Sequence, residues 1–137
     1  MKIKFILLLV LICVNSWLFS TTWHINQYGT GNFTTIMEGV NAAAENDTVR
    51  VYPGTYYENI VIEQNLSLVS NYEYTGNDED IYNTILDGNH QSSVIRLMGE
   101  ENDLINVYIC GFIIQHGIGW NEIGNPITKK GGGIHHR

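Results

Sequence analysis

From Thr48 onward the apolar residues of this chain arrive in runs of only three to five, most of them closed by Gly, Asn, Asp or Pro. Thr48-Val49-Arg50-Val51-Tyr52 alternates and stops at Pro53-Gly54. Ile60-Val61-Ile62, Leu66-Ser67-Leu68, Thr84-Ile85-Leu86, Val94-Ile95-Arg96-Leu97, Val107-Tyr108-Ile109 and Phe112-Ile113-Ile114 follow. Such short, turn-bounded runs rich in β-branched residues specify strands, and none is long enough to form a helical face. Two arrangements compete. A sandwich wants strands of about five or six residues joined by hairpins. A coil of stacked rungs wants very short strands separated by turns. No Asn-Gly turn joins two long alternating strands here, and Asp87-Gly88 is followed by the further connection Asn89 to Ser93. Gly111, between two short apolar runs, suits a sharp bend, and Gly131-Gly132-Gly133-Ile134 reads as the opening of another rung. The pattern predicts an all-β solenoid.

Ahead of these runs, Thr21 to Gln27 predicts a short strand and Gly29-Thr30-Gly31 a turn. Ile36, Met37, Val40, Ala43 and Ala44 recur at spacings of three and four, which predicts one amphipathic helix over Thr34 to Glu45. Asn32 or Thr34 is placed to cap its start, and Asn46-Asp47 to end it. With no partner helix in the chain, its apolar face must pack on strands.

Residues 1–20 read as an address. Lys2 and Lys4 precede the apolar run Phe5 to Val14, and polar Asn15 and Ser16 follow, which is the layout of a secretory signal peptide. The run is too short for a bilayer span, which needs roughly 20 residues. Ile12 is too bulky for a lipid-attachment motif at Cys13, so lipidation is rejected. The expected compartment is therefore extracellular or the cell surface, with residues 21–137 as a single domain. Removal of the signal leaves Cys110 alone, which excludes an internal disulfide, and Ile109 and Phe112 beside it favour its burial. A formal charge of −7 excludes a phosphate-backbone binder, so no nucleic acid is expected as a partner.

The stretch Phe33-Thr34-Thr35-Ile36, Ala42-Ala43-Ala44, Asn46-Asp47-Thr48-Val49, Val51, Pro53-Gly54-Thr55-Tyr56, Glu58-Asn59-Ile60 and Ile62 resembles the opening of right-handed parallel β-helix proteins, which share the pectin-lyase-like fold. Thr84-Ile85-Leu86-Asp87-Gly88, Gly111 to Gly117 and Gly131 to Ile134 are similar to rung segments of that group, so the resemblance covers roughly residues 23 to 134. It implies a right-handed parallel β-helix with one N-terminal capping α-helix, and inward positions at Val49, Val51, Ile60, Ile62, Leu66, Leu68, Ile85, Leu97, Ile109, Phe112 and Ile114. It also implies that the irregular stretch Asn71 to Tyr82 shapes a lateral groove. Because such coils run through many rungs to a terminal cap, the sequence is expected to be the N-terminal section of a longer protein. An uncovered last rung would be free to pair with a second copy. As a guide to activity the resemblance is weak, because one fold hosts enzymes and non-enzymatic surface proteins alike.

Gly29-Thr30-Gly31-Asn32-Phe33-Thr34-Thr35-Ile36 is also similar to the start of pectin methylesterases, but no segment matches that family's catalytic motifs, so no catalytic residue is assigned. Asp78-Glu79-Asp80 has the oxygens Ca²⁺ requires but not the spacing of an EF-hand loop; a solvated loop is the plainer reading, and neither metal nor cofactor is assigned. His135 and His136 would point to opposite faces of a strand, and His24, His90 and His116 are isolated in sequence. Lys129-Lys130-Gly131-Gly132-Gly133 has the wrong order for a phosphate loop. Tyr56, Tyr57, Tyr72, Tyr74 and Tyr82 lie in or beside the turns and the long loop, where aromatic faces either pack the rim or stack on sugar rings. Asn32, Asn46 and Asn65 head N-glycosylation sequons. The expectation is a secreted or surface scaffold contacting polysaccharide. The alternative is the N-terminal part of a polysaccharide lyase or carbohydrate esterase whose catalytic rungs lie beyond residue 137.

Overall fold

The computed structural model describes residues 19–99, 104–121, 129–130 and 133–136. The expected signal peptide, apart from residues 19 and 20, lies outside the described residues. The elements run β1 (Thr22–Ile25), α1 (Ile36–Ala42), β2 (Asp47–Val51), β3 (Gly54–Tyr57), β4 (Ile60–Ile62), β5 (Leu66–Ser70), α2 (Tyr72–Thr75), α3 (Asp78–Tyr82), β6 (Thr84–Asp87), β7 (Ile95–Leu97), β8 (Val107–Cys110), β9 (Ile113–Gln115), β10 (Trp120–Asn121), β11 (Lys129–Lys130) and β12 (Ile134–His136).

Most strands are parallel, and they fall into three sheets of order β1-β2-β5-β8, β3-β6-β9 and β12-β7-β4. From β2 to β9 successive strands visit the three sheets in rotation. Each strand from β5 to β9 pairs in parallel with the strand three places earlier. Strands of three to five residues suffice because each contributes one to three inward side chains to a shared core. The register stacks those side chains: Val49 on Leu68 on Ile109 in the first sheet, and Tyr56 on Leu86 on Ile114 in the second. Ile60 on Ile95 and Ile62 on Leu97 do the same in the third. The one antiparallel pair among the described residues is β10 with β11; β12, which follows Gly133, pairs in parallel with β7.

Of the inward positions expected from sequence, Val49, Val51, Ile60, Ile62, Leu66 and Leu68 are buried, while Leu97, Ile109, Phe112 and Ile114 are partly buried against the same core. Ile85 is a correction. Thr84 and Leu86 point inward on β6 and Ile85 does not: the Thr84 hydroxyl is tied to the Asp80 carbonyl within α3, and Leu86 is in register between Tyr56 and Ile114, one residue out of the expected phase. β2 ends ahead of Pro53-Gly54 as expected, and Gly54 also opens β3, its N–H donating to the Asn83 carbonyl at 2.7 Å. The stretch Asn71 to Tyr82 is not irregular: it holds α2 and α3, so α1 is not the sole helix. Cys110 is half-buried and unbridged.

α1 is shorter than its apolar period. Thr35, rather than Asn32 or Thr34, caps it: the Thr35 side chain accepts from the Glu38 N–H, and the Glu38 carboxylate accepts in return from the Thr35 N–H. Glu58, at the far end of β3, accepts from the N–H groups of Ile36 and Met37, each at 2.9 Å. At the other end Ala43 turns extended and Gln64 donates to the carbonyls of Val40 and Ala43, so the helix stops before Ala44, which is exposed. Ile36, Val40 and Ala43 join the core with Ile25, and Gly39 lets the helix sit on Ile25 so closely that a Cβ there would collide with its Cδ1.

Asp47 ties the N-terminal elements together. Its carboxylate accepts from the Thr21 N–H at 2.6 Å, the Ala44 N–H at 2.9 Å and the Trp23 indole N–H at 3.1 Å. Burial pushes its pKa up, but these three bonds outweigh that and hold it below the usual carboxylate value. No helix among the described residues is long and apolar enough to cross a membrane.

Candidate functional site

Alternation along β1, β2, β5 and β8 sends every second side chain outward, and the parallel register lines them up across the sheet. One outward row is Thr22, Thr48, Ser67 and Tyr108; the next is His24, Arg50, Val69 and Cys110. The 71–82 segment folds back over this face. Asn71 accepts from Arg50 Nε at 3.0 Å, and Glu73 accepts from the Tyr108 hydroxyl at 3.1 Å. Val69 is buried despite lying on the outward row.

Two depressions of about 310 and 320 Å³ result, sharing Ser67 and Tyr108. Asn46, Leu66, Asn106 and Val107 line the first; Thr48, Val69, Glu73 and Tyr74 line the second. Beside them the Arg50 guanidinium lies 3.9 Å from the centre of the Tyr74 ring and 5.1 Å from that of Tyr52. The Tyr52 hydroxyl sits 3.3 Å from His24 Nδ1. Tyr74 and Tyr108 are each 51 % exposed. The Cys110 thiol and the Glu73 carboxylate push the Tyr108 phenol up to about 12, so it stays neutral through the physiological range. Flat aromatic faces, hydroxyl and amide groups and one guanidinium are thus gathered on one surface.

The tyrosines singled out in the sequence are dispersed. Tyr74 is in this site. Tyr56 is interior, its hydroxyl bonded to the Tyr52 carbonyl at 2.9 Å, so it forms no part of a rim. Tyr57 is exposed on the second sheet and Tyr82 at the end of α3, while Tyr72 is half-buried at the start of α2. Asp78-Glu79-Asp80 forms the first turn of α3, capped by Asn77. Asn32 accepts from the His24 N–H, Asn46 adopts a left-handed φ of 66°, and Asn65 accepts from the Asn106 N–H. His135 and His136 lie on β12; their side chains, and Gly131 and Gly132, are outside the described residues. His24 belongs to the site. Arg50, Tyr52 and Tyr108 were missed, although Arg50 and Tyr108 alternate with buried or half-buried neighbours and so had to face outward.

The structure also gathers residues that are far apart in sequence at a second place. The buried Asp87 accepts from Gln115 Nε2 at 2.9 Å, His116 Nδ1 at 2.8 Å and the Asn89 N–H at 2.8 Å. These bonds outweigh burial and hold its pKa at about 2. Because the folded value lies below that of an unfolded Asp, about 3.9, the stabilisation is complete above that value and is lost as pH falls through about 2. Asp87→Asn is therefore expected to cost stability at neutral pH, by an amount that shrinks between about pH 4 and pH 2. Urea midpoints of both proteins across that range check this; a constant difference would contradict it.

A β-rich protein of three parallel sheets, with an aromatic and hydroxyl-lined outer face, is the class defined by these features. No protein-family model matches the sequence. Over 59 residues, 38% of this chain, it is 44% identical to "Probable pectinesterase/pectinesterase inhibitor 41" of Arabidopsis thaliana, a match covering 10% of that protein.

Proposed function

We propose that the three sheets are the sides of a right-handed parallel β-helix, with α1 covering its N-terminal end, in a secreted or surface protein that contacts pectin-like polysaccharide through the outer face of β1-β2-β5-β8. The observation that carries this reading is the guanidinium of Arg50 lying over the rings of both Tyr74 and Tyr52, with the half-exposed Tyr108 in the adjoining depressions. The partial likeness to a protein named as a probable pectinesterase/pectinesterase inhibitor is what supports pectin among polysaccharides. The formal charge of −7 selects its methyl-esterified form, since a fully ionised polyuronate would be repelled and Arg50 can serve an isolated carboxylate.

Calorimetric titration with a methyl-esterified oligogalacturonide tests this. Tyr74→Ala is expected to weaken binding about tenfold, the worth of one aromatic platform, and Tyr57→Ala, on another sheet, to leave it unchanged. Equal losses in both variants, or no binding by the parent, would sink the reading.

The same 59-residue match favours a second reading, that the chain is part of a carbohydrate esterase. Methanol released from esterified pectin by the purified protein would support it; none released would leave the contact role as the better account.

A further inference from the structure

We propose that His90 and His116 together bind a first-row transition ion of the imidazole-preferring kind, and that this ion pins the turn after β6 to the turn after β9. The two rings have centroids 4.6 Å apart with a 39° tilt, although 26 positions separate the residues in sequence. Two imidazole nitrogens bound side by side to one ion at about 2.0–2.1 Å lie roughly 3–3.4 Å apart. Rings with centroids 4.6 Å apart are close enough to present nitrogens at that spacing.

The donor atoms are prepared for such a role. Asp87 is an ionised carboxylate and can only accept, so His116 Nδ1 carries the proton of the 2.8 Å bond between them. The lone pair of a neutral imidazole then sits on Nε2, on a side chain that is 48 % exposed. A carboxylate behind a ligating histidine fixes its tautomer and raises its basicity in metal centres generally. The backbone is also committed to the arrangement. The His90 N–H donates to the His116 carbonyl at 2.9 Å, locking the two turns together at that point. Asn89, His90 and His116 have φ of 48°, 55° and 54°, three of the four left-handed non-glycine residues among those described. Left-handed conformations held by the surrounding structure cluster at ligand clamps.

Among the described residues no set of three or more His, Cys, Asp or Glu is arranged to hold an ion. Asp87 is engaged behind His116, so two imidazoles and water form the inner shell, and the affinity is micromolar rather than nanomolar. Zinc and nickel suit such a donor set; calcium and magnesium do not.

Titration of the purified full chain with ZnCl₂ and with NiCl₂, followed by calorimetry and thermal unfolding, tests the site. A micromolar affinity is expected, with a rise in Tm of a few degrees at saturation. His116→Ala and His90→Asn should each weaken binding tenfold or more; Asn suits the left-handed φ at position 90. Because His116→Ala removes a partner of Asp87 and can impair folding, a second readout uses the unmodified protein. Substoichiometric Ni²⁺ should broaden the imidazole proton resonances of His90 and His116 first. Affinity weaker than millimolar, full affinity in His90→Asn, or preferential broadening of any other histidine would overturn the proposal.

Discussion

Leu68→Ala is expected to lower the free energy of unfolding by about 2–5 kcal/mol, a large share of what a single domain has. Leu68 is fully buried at the centre of the first sheet, stacked between Val49 on β2 and Ile109 on β8. Truncation removes contacts on both sides, and the hydrogen-bonded strands cannot close the gap, because parallel strands keep their spacing of about 4.8 Å whatever their side chains are. Urea unfolding of parent and variant measures the loss. Ile85→Ala is the matched control: the family resemblance implied that Ile85 faces inward, yet it is only half-buried and Leu86 holds the core position. It should cost less than half as much as Leu68→Ala. Equal costs would mean that β6 faces the other way.

Asp47→Ala is expected to be as damaging, although it leaves no large cavity. Three donors from separate segments converge on this carboxylate: the Thr21 N–H before β1, the Trp23 indole on β1 and the Ala44 N–H after α1. A donor left without a partner costs about 1–3 kcal/mol where it is buried; Thr21 and Ala44 are exposed, so water relieves part of the loss and the sum comes to about 3 kcal/mol. Asp47→Asn should fall between, since an amide keeps one acceptor oxygen but presents an N–H₂ to donors. Urea midpoints that descend from the parent through Asp47→Asn to Asp47→Ala, with Trp23 fluorescence changed in both variants, check the account. An Asp47→Ala variant within 0.5 kcal/mol of the parent, roughly the scatter of ordinary surface substitutions, would contradict it.

The inward positions that the family resemblance implied at Val49, Val51, Ile60, Ile62, Leu66 and Leu68 are all buried, and polar neighbours such as Thr48, Arg50 and Ser67 made part of that phase legible in the sequence itself. Ile85 broke the pattern because Thr-Ile-Leu-Asp contains two adjacent aliphatics, and the choice between them fell to the register that sets Leu86 between Tyr56 and Ile114, with Thr84 tied to Asp80. The extent of α1 was overestimated for a similar reason. Ala43 and Ala44 continue its period, but side chains from the end of β3 and the β4–β5 turn, Glu58 and Gln64, take over its terminal groups. Segment 71–82 was expected to shape a groove, and Asn71, Glu73 and Tyr74 do engage the outward residues of the first sheet. The composition of the site stayed hidden. Arg50, Tyr74 and Tyr108 share one face only because β2, β5 and β8 stack in register and α2 returns over them, and no local pattern announces that residues 50, 74 and 108 lie on the same side. The joining of Asp87, His90 and His116 has the same origin: residue 87 pairs with residue 115 across β6 and β9, which delivers the following imidazole to a carboxylate 29 positions away.

The claim that the outer face of the first sheet is where this chain meets polysaccharide is tested most directly by amide chemical-shift mapping during titration with a methyl-esterified oligogalacturonide. The account predicts that the shifts concentrate at Thr48, Arg50, Ser67, Tyr74 and Tyr108, with the β3-β6-β9 sheet silent. Shifts centred on Tyr57 and that second sheet, or none at millimolar sugar, would contradict it.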